Sequence, residues 1–375
     1  MIKLYLNKFL LIVLLVLVGG CKSVDYTQKK TSYWMYLSTS PAKDSDGIDI
    51  YIWNPEKGEL KFYKKSKSLK KSKYIEINTA KNKLYSANDG VLSTYHIEKN
   101  GDLTVVDTLS YGKEKGAFLS LNNTKQFLLS SLYKSGKLMT FRLDSTGDIE
   151  CKVTDIQHIG KGSNMRRQKS AHPHMSIQPR NSNVVIVPDL GDDKVYSYTL
   201  LQNGECVPSE LPFVKLPDGV GPRYVAFHPS KEIIYILTEL TSEIYVYSYH
   251  PKKGITEFIN KISILPSGFK TLNTSADIAI TDNGKFLYAS NRGHNSIAIC
   301  ELDSLGNINF KHTIASNGDI PREFTLDPTG QFLLVANQKS NNLCVFKINQ
   351  HTGNLILKQN ISTGDSPQGF GFFRK

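Results

Sequence analysis

Long apolar runs are all but missing from this chain. The one present, Phe9–Val18, covers ten residues, too few for a helix that crosses a bilayer. No amphipathic helix of useful length can be traced either, which leaves strands to carry the fold. Cysteine is sparse, with five in 375 residues. There is no CxxC pair and no cluster at zinc spacing, so a structural zinc site is excluded. Neither GxSxG nor a P-loop occurs, which removes nucleophile-elbow serine chemistry and P-loop phosphoryl transfer. The charge is lopsided, 46 Lys and Arg against 34 acids for a formal +12. The basic residues are scattered lysines, however, without a recognition helix or an aromatic-basic motif. A solvated basic surface is expected, with no nucleic-acid partner. The Lys57–Lys73 segment, holding Lys64-Lys65 and Lys70-Lys71, reads as an exposed loop and outer strand.

Acid is absent from the first twenty residues, where Lys3 and Lys8 precede the apolar stretch and Gly19-Gly20-Cys21 follows it. A charged start, a short apolar core and small residues before a cleavage point describe a secretory signal. The ending Leu17-Val18-Gly19-Gly20-Cys21 resembles a bacterial lipobox. That implies a signal peptide over 1–20, a lipid on Cys21, a tether over 21–32 and a cell-envelope location. Lys22-Ser23 lacks the Asp that would retain such a protein in an inner membrane, so an outer membrane is expected where the cell has one. The rival readings are an uncleaved anchor and an ordinary secretory signal. Cys151, Cys206, Cys300 and Cys344 then remain, and three full pairings fit them as well as free thiols do.

What the chain has in quantity is one unit, repeated. Gly219–Tyr249 shows it best: apolar runs Tyr224–Phe227, Ile233–Leu237 and Ile244–Tyr247 are separated by turns, with charge confined to strand ends. Short β-branched and aromatic runs bounded by turn residues are the mark of an antiparallel meander. The second run ends in a small or polar pair, and that pair recurs as Ala87-Asn88, Ser130-Ser131, Pro188-Asp189, Thr238-Glu239, Ser290-Asn291 and Ala336-Asn337, 43 to 58 residues apart. Fourth strands follow Gly-containing turns such as Asp144–Gly147, Asp303–Gly306 and Gln350–Gly353. Asp44–Asp49 faintly resembles a calcium loop but lacks the distal Glu, and reads as a hairpin turn. Tyr33–Ser38 and Ile48–Trp53 have no inner strand before them, while Gln368–Phe373 is an inner strand with nothing after it. Units of this length, one of them split between the termini, predict an all-β, seven-bladed β-propeller with four-stranded blades, closed by pairing of the N- and C-terminal strands. A single domain over 33–375 is expected, and a monomer.

In a propeller, ligands usually bind where inner strands begin around the central channel. His172-Pro173-His174, Gly221-Pro222-Arg223, Ala276-Asp277, Pro321-Arg322 and Pro367-Gln368 precede or open the inner strands. The second-strand ends add Asn88, Asp189, Glu239, Asn291-Arg292 and Asn337-Gln338. Arginines, a histidine and a glutamate around one basin suit an anionic ester-like ligand, since Arg grips carboxylate or phosphate as a fork. His172 and His174 resemble a metal chelate, but no carboxylate spacing supports one; no metal or other cofactor is expected. Glu239 could instead be a structural partner of Arg223 or Arg292, and Arg322 could pair with Asp277 between blades.

At this point a family likeness emerges. AHPHMSIQ with VVIVPDLGDDKVYSY, GVGPRYVAFHPSKEIIYILTEL, SADIAITDNGKFLYASNRGHNSIAI and IPREFTLDPTGQFLLVANQKSNNLCVF resemble consecutive blades of the lactonase family of seven-bladed propellers. The family includes the propeller-type 6-phosphogluconolactonases and the 3-carboxy-cis,cis-muconate lactonising enzyme. The resemblance implies a site of His174, Arg223, Glu239 and Arg292, with Arg322 and, less directly, His172 binding substrate; Asp277, Asn291 and Asn337 join the substrate-binding set from their positions at strand starts and ends. It departs from the family at Lys115–Phe118 and Ser130–Tyr133, which bears on substrate identity.

The expected activity is hydrolysis of a sugar-derived or carboxylated, anionic lactone. His174 or Glu239 would activate water, Glu239 ranking second because a neighbouring Arg would hold its pKa low. Arg223 and Arg292 would face the oxyanion. A phosphorylated lactone is a cytoplasmic metabolite, so export through Cys21 favours an extracytoplasmic one. A muconate-type cycloisomerase and a non-catalytic binding propeller are the alternatives.

Overall fold

The computed structural model describes residues 31–40, 47–66, 72–115 and 118–375. The expected signal peptide, Cys21 and most of the expected tether, residues 44–46 of the Asp44–Asp49 stretch, Lys70-Lys71 and Gly116-Ala117 lie outside the described residues. The chain forms seven antiparallel sheets in sequence around a ring.

In the first blade Pro367–Arg374 pairs with Tyr33–Thr39, followed outward by Ile48–Asn54 and Glu59–Lys65. Trp34 sits opposite Phe373 and Tyr36 opposite Gly371, so the last strand of the chain is the innermost strand of the first sheet. The ring is closed, as the unmatched strands at the two termini require. The fifth blade, from Pro222–Phe227 through Ile233–Thr238 and Glu243–His250 to Gly254–Ser263, is a plain up-and-down meander. Its second strand is buried along nearly its whole length, whereas its fourth is exposed or half-buried beyond its first two residues. That gradient explains the sequence pattern: a middle strand has a neighbouring blade on each face and reads as a continuous apolar run.

The core therefore lies between blades. Met35, Leu37 and Trp53 of the first pack against Phe332, Leu334 and Val345 of the seventh, and Leu128 and Phe141 of the third meet Tyr85 and Leu92 of the second. Each such side chain contributes about 1.5–3 kcal/mol when fully buried. Polar staples recur at the same interfaces. The hydroxyls of Tyr36, Tyr85, Tyr235 and Tyr288 donate to the carbonyls of Gly101, Gly147, Gly306 and Gly353, each in the last turn of the following blade. At Gly101 the φ of 82° and the indole of Trp34 leave no room for a Cβ, which is why glycine stands there.

The fourth blade departs from the pattern. Its outer three strands, Val184–Asp189, Lys194–Leu200 and Cys206–Lys215, pair regularly, but its inner segment touches the sheet at two isolated bridges, Pro173 with Asp189 and Ile177 with Ile186. Pro173 has no N–H to give a ladder. This irregular segment carries His172 and His174. Among the described residues Cys151, Cys206, Cys300 and Cys344 are all free thiols, Cys151 exposed and the others buried.

Candidate active site

Each group is delivered by the register of its blade. Glu239 follows directly on the second strand of the fifth blade, held by its N–H on the Gly221 carbonyl (2.7 Å) and by its carbonyl accepting from Ser275 N–H (3.0 Å). Arg292 ends the matching strand of the sixth blade, and Arg322 is the second residue of the inner strand of the seventh. His174 hangs on the irregular segment, its N–H on the Pro188 carbonyl at 3.0 Å. These four side chains line one cavity of about 340 Å³ together with Arg167 and Glu323.

Glu239 is the hub. Its Oε2 lies 3.0 Å from Nε of Arg223 and 3.1 Å from Nη2 of Arg292, and its Oε1 accepts from Nη2 of Arg167 at 2.5 Å. Burial alone would push this carboxyl up, but Arg292, Arg223 and Arg167 together hold it well below the ordinary carboxylate range. A carboxylate so clamped is a poor proton acceptor and a good fixed negative charge. Burial pulls Arg292 down to about 10, with Glu239 opposing and Arg223 and Arg322 adding to the fall. It remains a cation at neutral pH.

His174 stands 3.8 Å from Glu239, Nε2 to Oε2. That is too far for a direct hydrogen bond and wide enough for one water to touch both. Its ring packs edge-on against Tyr133 and Tyr224. Burial and the charge of Arg223 push it well below the usual imidazole value, against the pull of Glu239. The ring is therefore neutral near pH 7, with a lone pair to offer.

Arg223 does not line the cavity. It is fully buried beneath it, donating to the Ala276 carbonyl and lying with its guanidinium carbon 4.3 Å from the centre of the Tyr224 ring. Its Nη2 is 3.8 Å from Glu323 Oε1, and the Tyr224 hydroxyl donates to the same Glu323 oxygen at 3.1 Å. Its position fits holding Glu239 rather than meeting a ligand.

The remaining sequence candidates divide in the same way. The His172 ring stacks on Tyr133 at 4.5 Å and bonds the Tyr133 carbonyl through Nδ1 at 2.8 Å, so it supports a cavity wall. Asp277 makes no ion pair with Arg322. It accepts from the N–H of Ile278 (2.7 Å) and of Phe324 in the next blade (2.8 Å). Burial, and then the charge of Glu323, raise its carboxyl well above the ordinary range. Asn291 and Asn337 are wholly buried and donate to the carbonyls of Ile264 (3.0 Å) and Ser316 (3.1 Å) in the links between blades. Among the described residues no three His, Cys, Asp or Glu side chains converge as a metal ion would require.

Three groups escape a reading from repeats. Glu323 follows Arg322 directly and lines the same cavity, while Tyr133 stands two residues past Ser131, beyond the pair the repeat singles out. Arg167 lies in the connection from the third blade to the fourth, which has no counterpart elsewhere in the ring. The 58-residue step across that connection, the longest in the series, was its only trace.

The family model described as Lactonase, 7-bladed beta-propeller matches residues 34–370. A protein of Bacillus subtilis named 6-phosphogluconolactonase is 32% identical over 333 residues, covering 87% of this chain and 94% of its own. Another so named, from Formosa agariphila, is 31% identical over 85% of this chain and 93% of its own. Among solved structures, a protein from Lactobacillus plantarum superposes with a TM-score of 0.85 at 26% identity, covering 91% of this chain and 99% of its own. The periplasmic gluconolactonase of Pseudomonas aeruginosa shares the fold with a TM-score of 0.83 at 22% identity, covering 91% and 99%.

Proposed function

The chain belongs to the seven-bladed β-propeller lactonase family, and on that premise we propose that it hydrolyses the ring ester of an anionic, sugar-derived or carboxylated lactone. The observation that carries the reading is a buried histidine facing a cavity in which Arg167, Arg292, Arg322 and Lys134 outnumber Glu239 and Glu323. Among the described residues Arg322 has no carboxylate partner, and its buried Nε has no hydrogen-bond acceptor. An anionic substrate supplies what is missing.

A water between His174 and Glu239 attacks the lactone carbonyl while the imidazole takes its proton. Glu239, ionised throughout, stabilises the imidazolium. Arg292 and Arg322 face the developing oxyanion. The tetrahedral intermediate collapses with cleavage of the ring C–O bond, and His174 returns its proton to the departing alkoxide. The resulting hydroxy acid ionises at neutral pH and releases one proton per turnover. Proton release across a panel of neutral, carboxylated and phosphorylated lactones follows the reaction directly. His174→Ala is expected to lower kcat about a hundredfold or more. Because protonation of His174 occurs only well below its ordinary value, the wild-type rate should hold from pH 8 down to pH 6 and fall in stronger acid. Full turnover by the variant would take His174 out of the chemistry. Binding without hydrolysis of any lactone would make the protein a binding propeller, and isomerisation of a muconate diacid would make it a cycloisomerase.

The lipobox-like Leu17–Cys21 supports attachment to the envelope through Cys21, and with it an extracytoplasmic substrate. Radioactive palmitate should label the wild-type protein and leave Cys21→Ser unlabelled. Equal labelling, or none, would remove the anchor.

A further inference from the structure

The connection from the third blade to the fourth is a built loop. The amide of Gln168, almost wholly buried, donates to the Leu190 carbonyl (2.8 Å) and to Asp193 Oδ1 (2.7 Å) and accepts from Asn164 N–H (2.9 Å). Asn164 in turn accepts the N–H groups of Arg166 and Arg167 at 3.1 and 3.2 Å. The loop thus fixes the backbone of two consecutive arginines at the rim.

Arg167 differs from the other two guanidiniums on Glu239. Its side chain is 35% exposed, against 0% for Arg223 and 11% for Arg292, and it comes from a loop instead of a blade strand. Beyond it lies a second, more open cavity of about 570 Å³, walled by Asn164, Arg166, Leu240, Leu272 and Asn273. Arg167 and Arg292 belong to both cavities. Among the described residues Arg166 pairs with no carboxylate, and this outer cavity contains no acid.

We propose that Arg167 is the specificity residue for the anionic substituent of the lactone, which enters the outer cavity between Arg166 and Arg292 while the ring stays with His174. This rests on the lactonase reading and adds to it where the charge sits and what selects it. A carboxylate or phosphate there offers Arg167 an oxygen partner in place of Glu239 Oε1, and the guanidinium can grip it as a two-pronged donor. A neutral lactone offers no such exchange. Leu240 and Leu272 flank the path and accommodate the carbon arm that carries the charge.

The test compares glucono-δ-lactone, its 6-phosphate and saccharolactone by proton release on wild type, Arg167→Gln, Arg167→Lys and Arg166→Gln. The readout is the ratio of kcat/KM for each anionic lactone to that for the neutral one. Loss of a charged hydrogen-bonding group should lower the ratio about tenfold or more in Arg167→Gln, mostly through KM. Arg167→Lys should recover part of it, because it keeps the charge but not the fork, and Arg166→Gln should lower it by less. A merely structural loop residue would depress all three substrates alike. Hydrolysis with an unchanged ratio in Arg167→Gln overturns the inference and leaves the lactonase reading standing. Failure of the wild type to hydrolyse any of the three overturns that reading and the inference with it.

Discussion

Glu239→Ala is expected to cost about 3–5 kcal/mol of folding stability, the usual penalty for stripping one partner from a buried ion pair, and to bring hydrolysis below detection. Stability suffers because Arg223 is fully buried and loses its closest carboxylate, with Glu323 3.8 Å away as the remaining acid. Activity suffers because Arg167 and Arg292 lose the group that orients them and His174 loses its counter-charge. Urea unfolding of both proteins measures the first effect and proton release the second. The pH dependence identifies the cause. A carboxyl whose folded pKa is depressed contributes its stability above the unfolded value of 4.5 and loses it as pH falls through the folded one. The gap between wild type and variant should therefore be full at pH 7 and begin to narrow only below about pH 4.5. Equal urea midpoints at pH 7 would mean that water compensates these arginines.

Ending the chain at Ser366 should abolish cooperative folding altogether. The lost strand, Pro367–Arg374, is the inner strand of the first blade and pairs with Tyr33–Thr39 over most of its length. Removing it withdraws Phe370 and Phe372 from the packing around Met35, Leu37 and Trp53 and leaves the N–H and C=O groups along one edge of Tyr33–Thr39 unpaired. Two half-buried phenylalanines, each worth less than the ~1.5–3 kcal/mol of a fully buried one, together with the lost ladder, are a large share of the ~5–15 kcal/mol that holds a domain folded. Circular dichroism melts should show a broad, uncooperative change or aggregation. A sharp transition near that of the full chain would mean the wheel holds without its clasp.

Both expectations draw on features legible in the sequence to different degrees. Strands buried on two faces, with turns between them and orphan strands at the termini, spell out a closed ring because side-chain alternation and turn chemistry are local. His174, Glu239, Arg292 and Arg322 could be gathered because the repeat fixes which mouth each strand end reaches. It does not fix which way a side chain leaves the strand. Asn291 and Arg292 are consecutive, yet one is buried among backbone carbonyls and the other faces the cavity. Arg223 lies one layer deeper than its place at a strand start implies, paired with Glu239 and donating to the Ala276 carbonyl. Arg167 could not be gathered at all. It sits in a connection that no other blade repeats, and its approach to Glu239 depends on the buried amide of Gln168.

The fourth blade offers one more consequence. Its inner segment is tacked to the sheet at Pro173 and Ile177, while each of the other six blades has an inner strand paired within its sheet, several of them bulged. The imidazole is thus mounted on the spoke with the sparsest inner pairing, while Arg292 and Arg322 stand on paired strands.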